Sequence, residues 1–198
     1  QLVLLSREMP PLPMARWRAE GRLAELGPAD LAMSPAEAGS LLSAARVELA
    51  DGEVAELTRR TEGWPVALYL AALAHKAGGQ RGNTGAKFTG DDRFLADYLH
   101  AELLSRLSST EVRFLTRTAV LDRLSGPLCD AVLGSSGSAA VLASLERSNL
   151  LVVPLDRQRE WYRYHPLFRE LLRGELERSE PELASELTLR AARWCQDQ

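Results

Sequence analysis

Lysine is nearly missing from this chain. Lys76 and Lys87 are the only two in 198 residues, so the basic charge is almost all arginine; with abundant alanine, this reads as the mark of a GC-rich genome. The 24 basic residues face 27 acidic ones, and the formal net charge of −3 argues against nucleic acid as the main partner of the whole segment. Histidine is scarce too. His75, His100 and His165 lie far apart, and there is no HExxH, no GxSxG and no Cys/His nucleophile pair, so no catalytic residue is expected and the segment is read as no enzyme. The two cysteines, Cys129 and Cys195, have neither metal spacing nor a disulfide framework; both read as reduced, and no metal site is expected. No apolar run approaches the roughly 20 residues of a membrane span, and residues 1–20 lack the order of a signal peptide. The expectation is therefore a cytoplasmic location with no membrane partner.

What is present is 45% apolar and 26% charged content, ordinary for a globular chain with one or two cores. Gln1 is followed at once by LVLLSR, which reads as a buried strand cut out of something longer. Arg7 ends that strand, where ligands of open α/β sheets gather, and a guanidinium there suits a phosphate; a solvated or salt-bridged arginine explains it equally. MPPLPMARW is a proline-broken connection, and a second short strand is expected around Leu23–Leu26. Ser34, Pro35 and Glu37 spell a capping box and open a helix.

From Asp51, the residues Val54, Leu57 and Thr61 mark one helical face, with Gly63 placed to end the helix in the left-handed conformation. Pro65 begins the next helix, in which Val66, Tyr69, Leu70 and Leu73 repeat at helical spacing. Gly63-Trp64-Pro65 is thus a sharp corner that needs no ligand to explain it. Residues 78–90, GGQRGNTGAKFTG, form a polar glycine-rich loop and the best candidate for disorder; the GxxxxGK[ST] order is absent, so they are not a phosphate-binding loop.

Phe94, Leu95, Tyr98, Leu99 and Leu103 form a helical stripe, and Ser108 with Glu111 caps another helix through Val112, Leu115 and Ala119. Short helices start at Ser125, with Gly134 as its stop, and at Ser138, with Val141, Leu142 and Leu145 inward. LLVVPL, the turn DRQR and EWYRYH read as a hairpin, and Pro166 opens a helix to about Glu177. That succession is a winged helix-turn-helix pattern. Glu182–Gln198 is an amphipathic helix with Leu187, Ala191 and Trp194 in register, a possible start of a helical array. The fold class is therefore mainly α: a small helical domain, then a winged-helix (α+β) domain, with a residual strand of an α/β nucleotide-binding core at the N-terminus.

His165 stands before Pro166, which biases it away from the α region, so a strand should enter it and a helix leave it. A helix N-terminus favours an anion, and a neutral imidazole there can donate one hydrogen bond to a phosphate. A histidine that merely caps the helix or packs against the hairpin is the competing account. For DNA, residues 108–179 hold ten arginines and nine acids, and the candidate recognition helix SAAVLASLERSN offers Arg147 beside Glu146. A DNA reader clusters its positive charge on one face, which this unit does not do in sequence.

LVLLSREMPPLPMARWRAEGRLAEL, DLAMSPAEAGSLL, RRTEGWPVALYLAAL, FLADYLHAELLSRLSSTEVRFLTRTAVLDRLSGPLCDAVL and LLVVPLDRQREWYRYHPLFRELLRGEL follow one another in an order that resembles the signal-transduction ATPases with numerous domains (STAND), in the MalT-like branch of LuxR-type regulators. The resemblance implies the domains 1–33 (end of the nucleotide-binding core), 34–107 (small helical domain), 108–179 (winged helix) and 180–198 (linker and first helix of a repeat arm). It implies a switch that closes over bound ADP at rest and exchanges it for ATP, with Mg, in the full-length protein. Arg7 resembles the sensor arginine, Gly63 and Pro65 the adenine-side GxP turn, and His165 the histidine that touches the β-phosphate. The implied partners are the upstream core and the downstream repeat arm of the same chain, and a second copy on activation. DNA would be met only through a separate domain. Walker A and B are absent from the segment, so weak or undetectable nucleotide binding is expected of it alone. The alternatives are a winged-helix module that binds DNA directly and a nucleotide-indifferent adaptor that docks partner proteins.

Overall fold

The computed structural model describes residues 2–6, 10–78, 88–148 and 151–197. They fall into two compact units, 1–87 and 88–198. The first unit holds α1 (Met14–Ala19), α2 (Pro28–Leu31), α3 (Pro35–Ala44), α4 (Asp51–Arg60) and α5 (Pro65–Ala77). Neither strand expected near its start is formed. Residues 2–6 make no β pairing and leave Leu2, Val3 and Leu5 open to solvent; Leu23–Leu26 is irregular. A strand's amides need a neighbouring ladder, and the described residues of this unit contain no other strand to supply one.

The capping signals are realised. Ser34 Oγ accepts from the amide of Glu37 at 3.4 Å, and Glu37 Oε2 accepts from the Ser34 amide at 2.8 Å, which holds the Glu37 carboxyl below its usual range. α3 buries Ala38 and Leu42 and packs against α4 and α5. In α5 the inward face is Ala67, Leu68, Ala71 and Ala72, whereas Tyr69 of the expected stripe is 49% exposed. Alanines win the contact because they let neighbouring helices approach closely.

The second unit begins with α6 (Arg93–Glu102) and a 3₁₀ turn (Leu104–Arg106), and continues with α7 (Ser109–Thr118), β1 (Leu124–Ser125), α8 (Gly126–Leu133) and α9 (Ser138–Arg147). It ends with β2 (Val152–Pro154), β3 (Trp161–Tyr164), α10 (Pro166–Ser179) and α11 (Pro181–Gln196). Thus α6 and α11, which the sequence reading placed in flanking domains, both belong to the compact unit that holds the winged helix. The sheet is antiparallel in the order β1-β3-β2, with Leu124 opposite Tyr162 and Val152 opposite Tyr164. β1 is a strand of two residues that the sequence did not announce. Along β3, Tyr162 and Tyr164 are buried and Trp161 is exposed, the alternation of a one-sided sheet. α7 packs on α10, while α8 packs on α9 and α11.

Two glycines let chain segments meet in this unit. A Cβ on Gly90 would lie 2.1 Å from the carbonyl oxygen of Leu167, and one on Gly174 would lie 2.6 Å from Asp91 Oδ1. Residues 88–92 therefore lie against α10, with Phe88 buried and the Gly90 amide donating to Glu170 Oε2 at 2.9 Å. The disorder expected of 78–90 does not hold for Phe88, Thr89 and Gly90; residues 79–87 lie outside the described residues.

Candidate functional site

The backbone of His165 closes one strand and opens one helix. Its amide donates to the carbonyl of Leu151 at 2.8 Å, extending the β2–β3 pairing, and its carbonyl accepts from the amide of Arg169 at 3.0 Å as the first bond of α10. Pro166 occupies the first helical position, where a missing N–H costs nothing. The residue is only 5% exposed. His165 occupies the N-cap position of α10, and its imidazole makes no capping hydrogen bond to that helix.

The residues around the junction fix it on three sides. Tyr164 Oη lies 2.6 Å from Thr118 Oγ1 at the end of α7, and its ring meets Phe168 edge-on at 6.0 Å and 86°. Burial pushes the Tyr164 phenol far above its ordinary value. One turn into α10, Arg169 donates to the carbonyls of Ala119 and Val120 at 3.0 and 3.4 Å and pairs with Asp122 at 2.7 Å. These carbonyls belong to the C-cap of α7 and the residue after it, so the cation sits at the C-terminal end of that helix and is favoured by its dipole. Sequence reasoning missed Arg169, because its partners lie some fifty residues away and no local pattern names them.

The Gly63-Trp64-Pro65 corner belongs to the first unit and has its own geometry. The amides of Glu62 and Gly63 donate to the carbonyls of Arg59 and Thr58 at 3.3 and 2.9 Å, a Schellman ending for α4. Both residues are left-handed, at φ 49° and 70°, so Glu62 shares the role expected of Gly63 alone. What demands glycine at 63 is proximity: a Cβ there would stand 2.5 Å from the Met33 carbonyl oxygen, and the Met33 amide donates to the Gly63 carbonyl at 2.8 Å. Pro65 then starts α5 as its first residue. Arg7 lies outside the described residues.

Of the arginines on α9 and in the wing, Arg147 and Arg157 are exposed and make no ion pair among the described residues. The outer side of α9 presents Ala139, Ala140, Ser144 and Arg147, and the wing's Arg159 is paired with Glu146 at 3.1 Å. Asp156 accepts from the amides of Glu160 and Trp161 at 3.1 and 2.8 Å, which holds its carboxyl below the usual range and closes the hairpin. Asp130 of α8 accepts from the Ser138 amide at 2.9 Å and so caps α9 from the neighbouring helix. The α8–α9 contact is close, since a Cβ on Gly126 would lie 2.8 Å from that of Ala139. Among the described residues no group of three or more His, Cys, Asp or Glu could hold a metal ion, and no single helix is long and apolar enough to cross a membrane.

Comparison with known proteins bears on this domain. The family described as MalT winged helix domain matches residues 100–184, from the end of α6 to the start of α11. Over 189 residues the chain is 34% identical to the HTH-type transcriptional regulator MalT of Yersinia enterocolitica, covering 94% of this chain and 21% of that protein. It is 33% identical to MalT of Yersinia pestis over the same length. The serine/threonine-protein kinase PknK of Mycobacterium tuberculosis is 31% identical over 195 residues, 98% of this chain and 18% of its own. The chain spans about a fifth of the length of the curated relatives it matches.

Proposed function

From the match of residues 100–184 to the MalT winged helix family, we propose that this chain is the regulatory portion of an ATP/ADP-controlled STAND regulator of the LuxR type, its helical and winged-helix parts closing over bound nucleotide at rest. The observation that supports the reading is the place of His165, a buried histidine on the strand-to-helix junction inside the matched domain. In this reading Arg7, Gly63, Pro65 and His165 contact the nucleotide. The bound ADP supplies a diphosphate whose charge suits a helix N-terminus.

His165 donates one hydrogen bond to the β-phosphate from a neutral imidazole, the form that the positive end of the α10 dipole favours. Such a bond contributes about 1.5–3 kcal/mol, which shifts a two-state equilibrium roughly ten- to a hundredfold. Tyr164, Phe168 and Arg169 hold the junction against α7, so that a change of domain position would carry the histidine as part of a rigid body. Arg7, Gly63 and Pro65 would serve the upstream and adenine sides of the same nucleotide.

The test is genetic and uses the full-length protein. His165→Ala should raise nucleotide exchange and inducer-independent transcription by about ten- to a hundredfold. Unchanged exchange with unchanged basal transcription refutes the assignment.

A further inference from the structure

At the far end of α10, roughly 15–20 Å of helical rise from His165, an open groove of about 700 Å³ runs between that helix and α7. Its size is that of a small-molecule site. Arg113 and Arg117 line it from α7, Arg178 from α10, and Glu175 and Glu180 are its acids, with Val112 as an apolar wall. Arg113 and Arg117 are one helical turn apart and so share a face.

These charges are unequally engaged. Glu175 is taken by His100, Nε2 to Oε1 at 2.5 Å, and Arg178 reaches outward to Asp91 at 3.1 Å. Arg117 has a single acceptor among the described residues, Glu180 Oε2 at 3.3 Å, which is long for a charge-assisted bond. Its Nε is buried and lacks an acceptor there. Arg113 is exposed and makes no ion pair among the described residues. A buried guanidinium donor without an acceptor is costly, and an oxyanion would supply what it lacks.

We propose that this groove binds a small ligand through a phosphate or carboxylate group, clamped by Arg113 and Arg117, with Val112 against the ligand's apolar part. The ligand's oxygens displace Glu180 as the acceptor of Arg117. Glu180 is the one residue between α10 and α11, so occupancy acts on the joint between those helices.

The full chain is titrated calorimetrically with pyrophosphate and with citrate at matched ionic strength. Saturable binding of at least one probe, weakened about tenfold or more by Arg113→Glu without a shift in melting temperature, supports the site. Two controls should leave binding unchanged: Arg93→Glu, a reversal on the exposed side of α6, and Arg147→Glu, a reversal on the exposed end of α9. Binding of pyrophosphate alone assigns a phosphorylated ligand; binding of citrate alone assigns a carboxylate. Absence of saturable heat from both probes, affinity indifferent to Arg113→Glu, or affinity lost equally with Arg147→Glu overturns the proposal.

Discussion

Tyr164 and Thr118 join the last residue of β3 to the last residue of α7 through one buried contact, Oη to Oγ1 at 2.6 Å. Thr118 Oγ1 also donates to the carbonyl of Phe114 at 2.7 Å, so the phenol is tied to the helix backbone through one intermediary. Removing the hydroxyl while keeping the ring isolates this tie. Tyr164→Phe should preserve the edge-on contact with Phe168 and cost about 1 kcal/mol of stability in urea unfolding. In a double-mutant cycle with Thr118→Val the two losses should be less than additive. Full additivity would show that the contact carries no coupling.

Alkaline pH should weaken the second unit before it affects the charged surface. Burial pushes the Cys129 thiol up from 9.0 to about 12 and drives the Tyr164 phenol still further. Above about pH 9 the unfolded chain releases the thiol proton while the folded one keeps it. The stability this group contributes is therefore complete below 9 and is lost as pH rises toward 12. Urea midpoints should fall between about pH 8 and about pH 11, and Cys129→Ala should flatten the fall. A midpoint that rises over this range contradicts the burial argument.

The two thiols should also differ in reactivity. Cys129 is buried and Cys195 is exposed on α11. A thiol reagent at neutral pH should modify one cysteine per native chain and both in urea, because the thiolate is the reactive form and burial suppresses it. Peptide mapping should find the native label on Cys195.

Glycine at 63 and at 90 should be irreplaceable for steric reasons. Gly63→Ala adds a left-handed alanine and a clash with the Met33 carbonyl oxygen; Gly90→Ala forces residues 88–92 off α10. Each should cost about 2 kcal/mol or more in urea unfolding. Exchange of amide hydrogens should speed up locally, around Met33 for the first and along α10 for the second.

Much of this architecture was legible because its signals are local. The boxes Ser34–Glu37 and Ser108–Glu111, the stop at Gly134 and the junction at His165-Pro166 are each written within five residues and are all formed. What failed depends on distant partners. β1 exists only because Leu124 and Ser125 meet Tyr162 and Trp161, and two residues carry no periodicity. The inward face of α5 was misread because alanine counts for little in a hydrophobic pattern yet permits the closest helix contact. No local pattern singles out Gly90 or Gly174, and only the approach of residues 88–92 to α10 gives them a reason. In the candidate site the place of His165 in the backbone was readable, but Arg169 and the Tyr164–Thr118 tie that position it were not.

The central claim is that His165 senses a phosphate, and calorimetric titration of ADP and ATP into the full-length protein, wild type and His165→Ala, tests it most directly. The account predicts that ADP binds and that the substitution weakens ADP about ten- to a hundredfold and ATP less. Equal affinities in the two proteins, or no binding of either nucleotide, would contradict it.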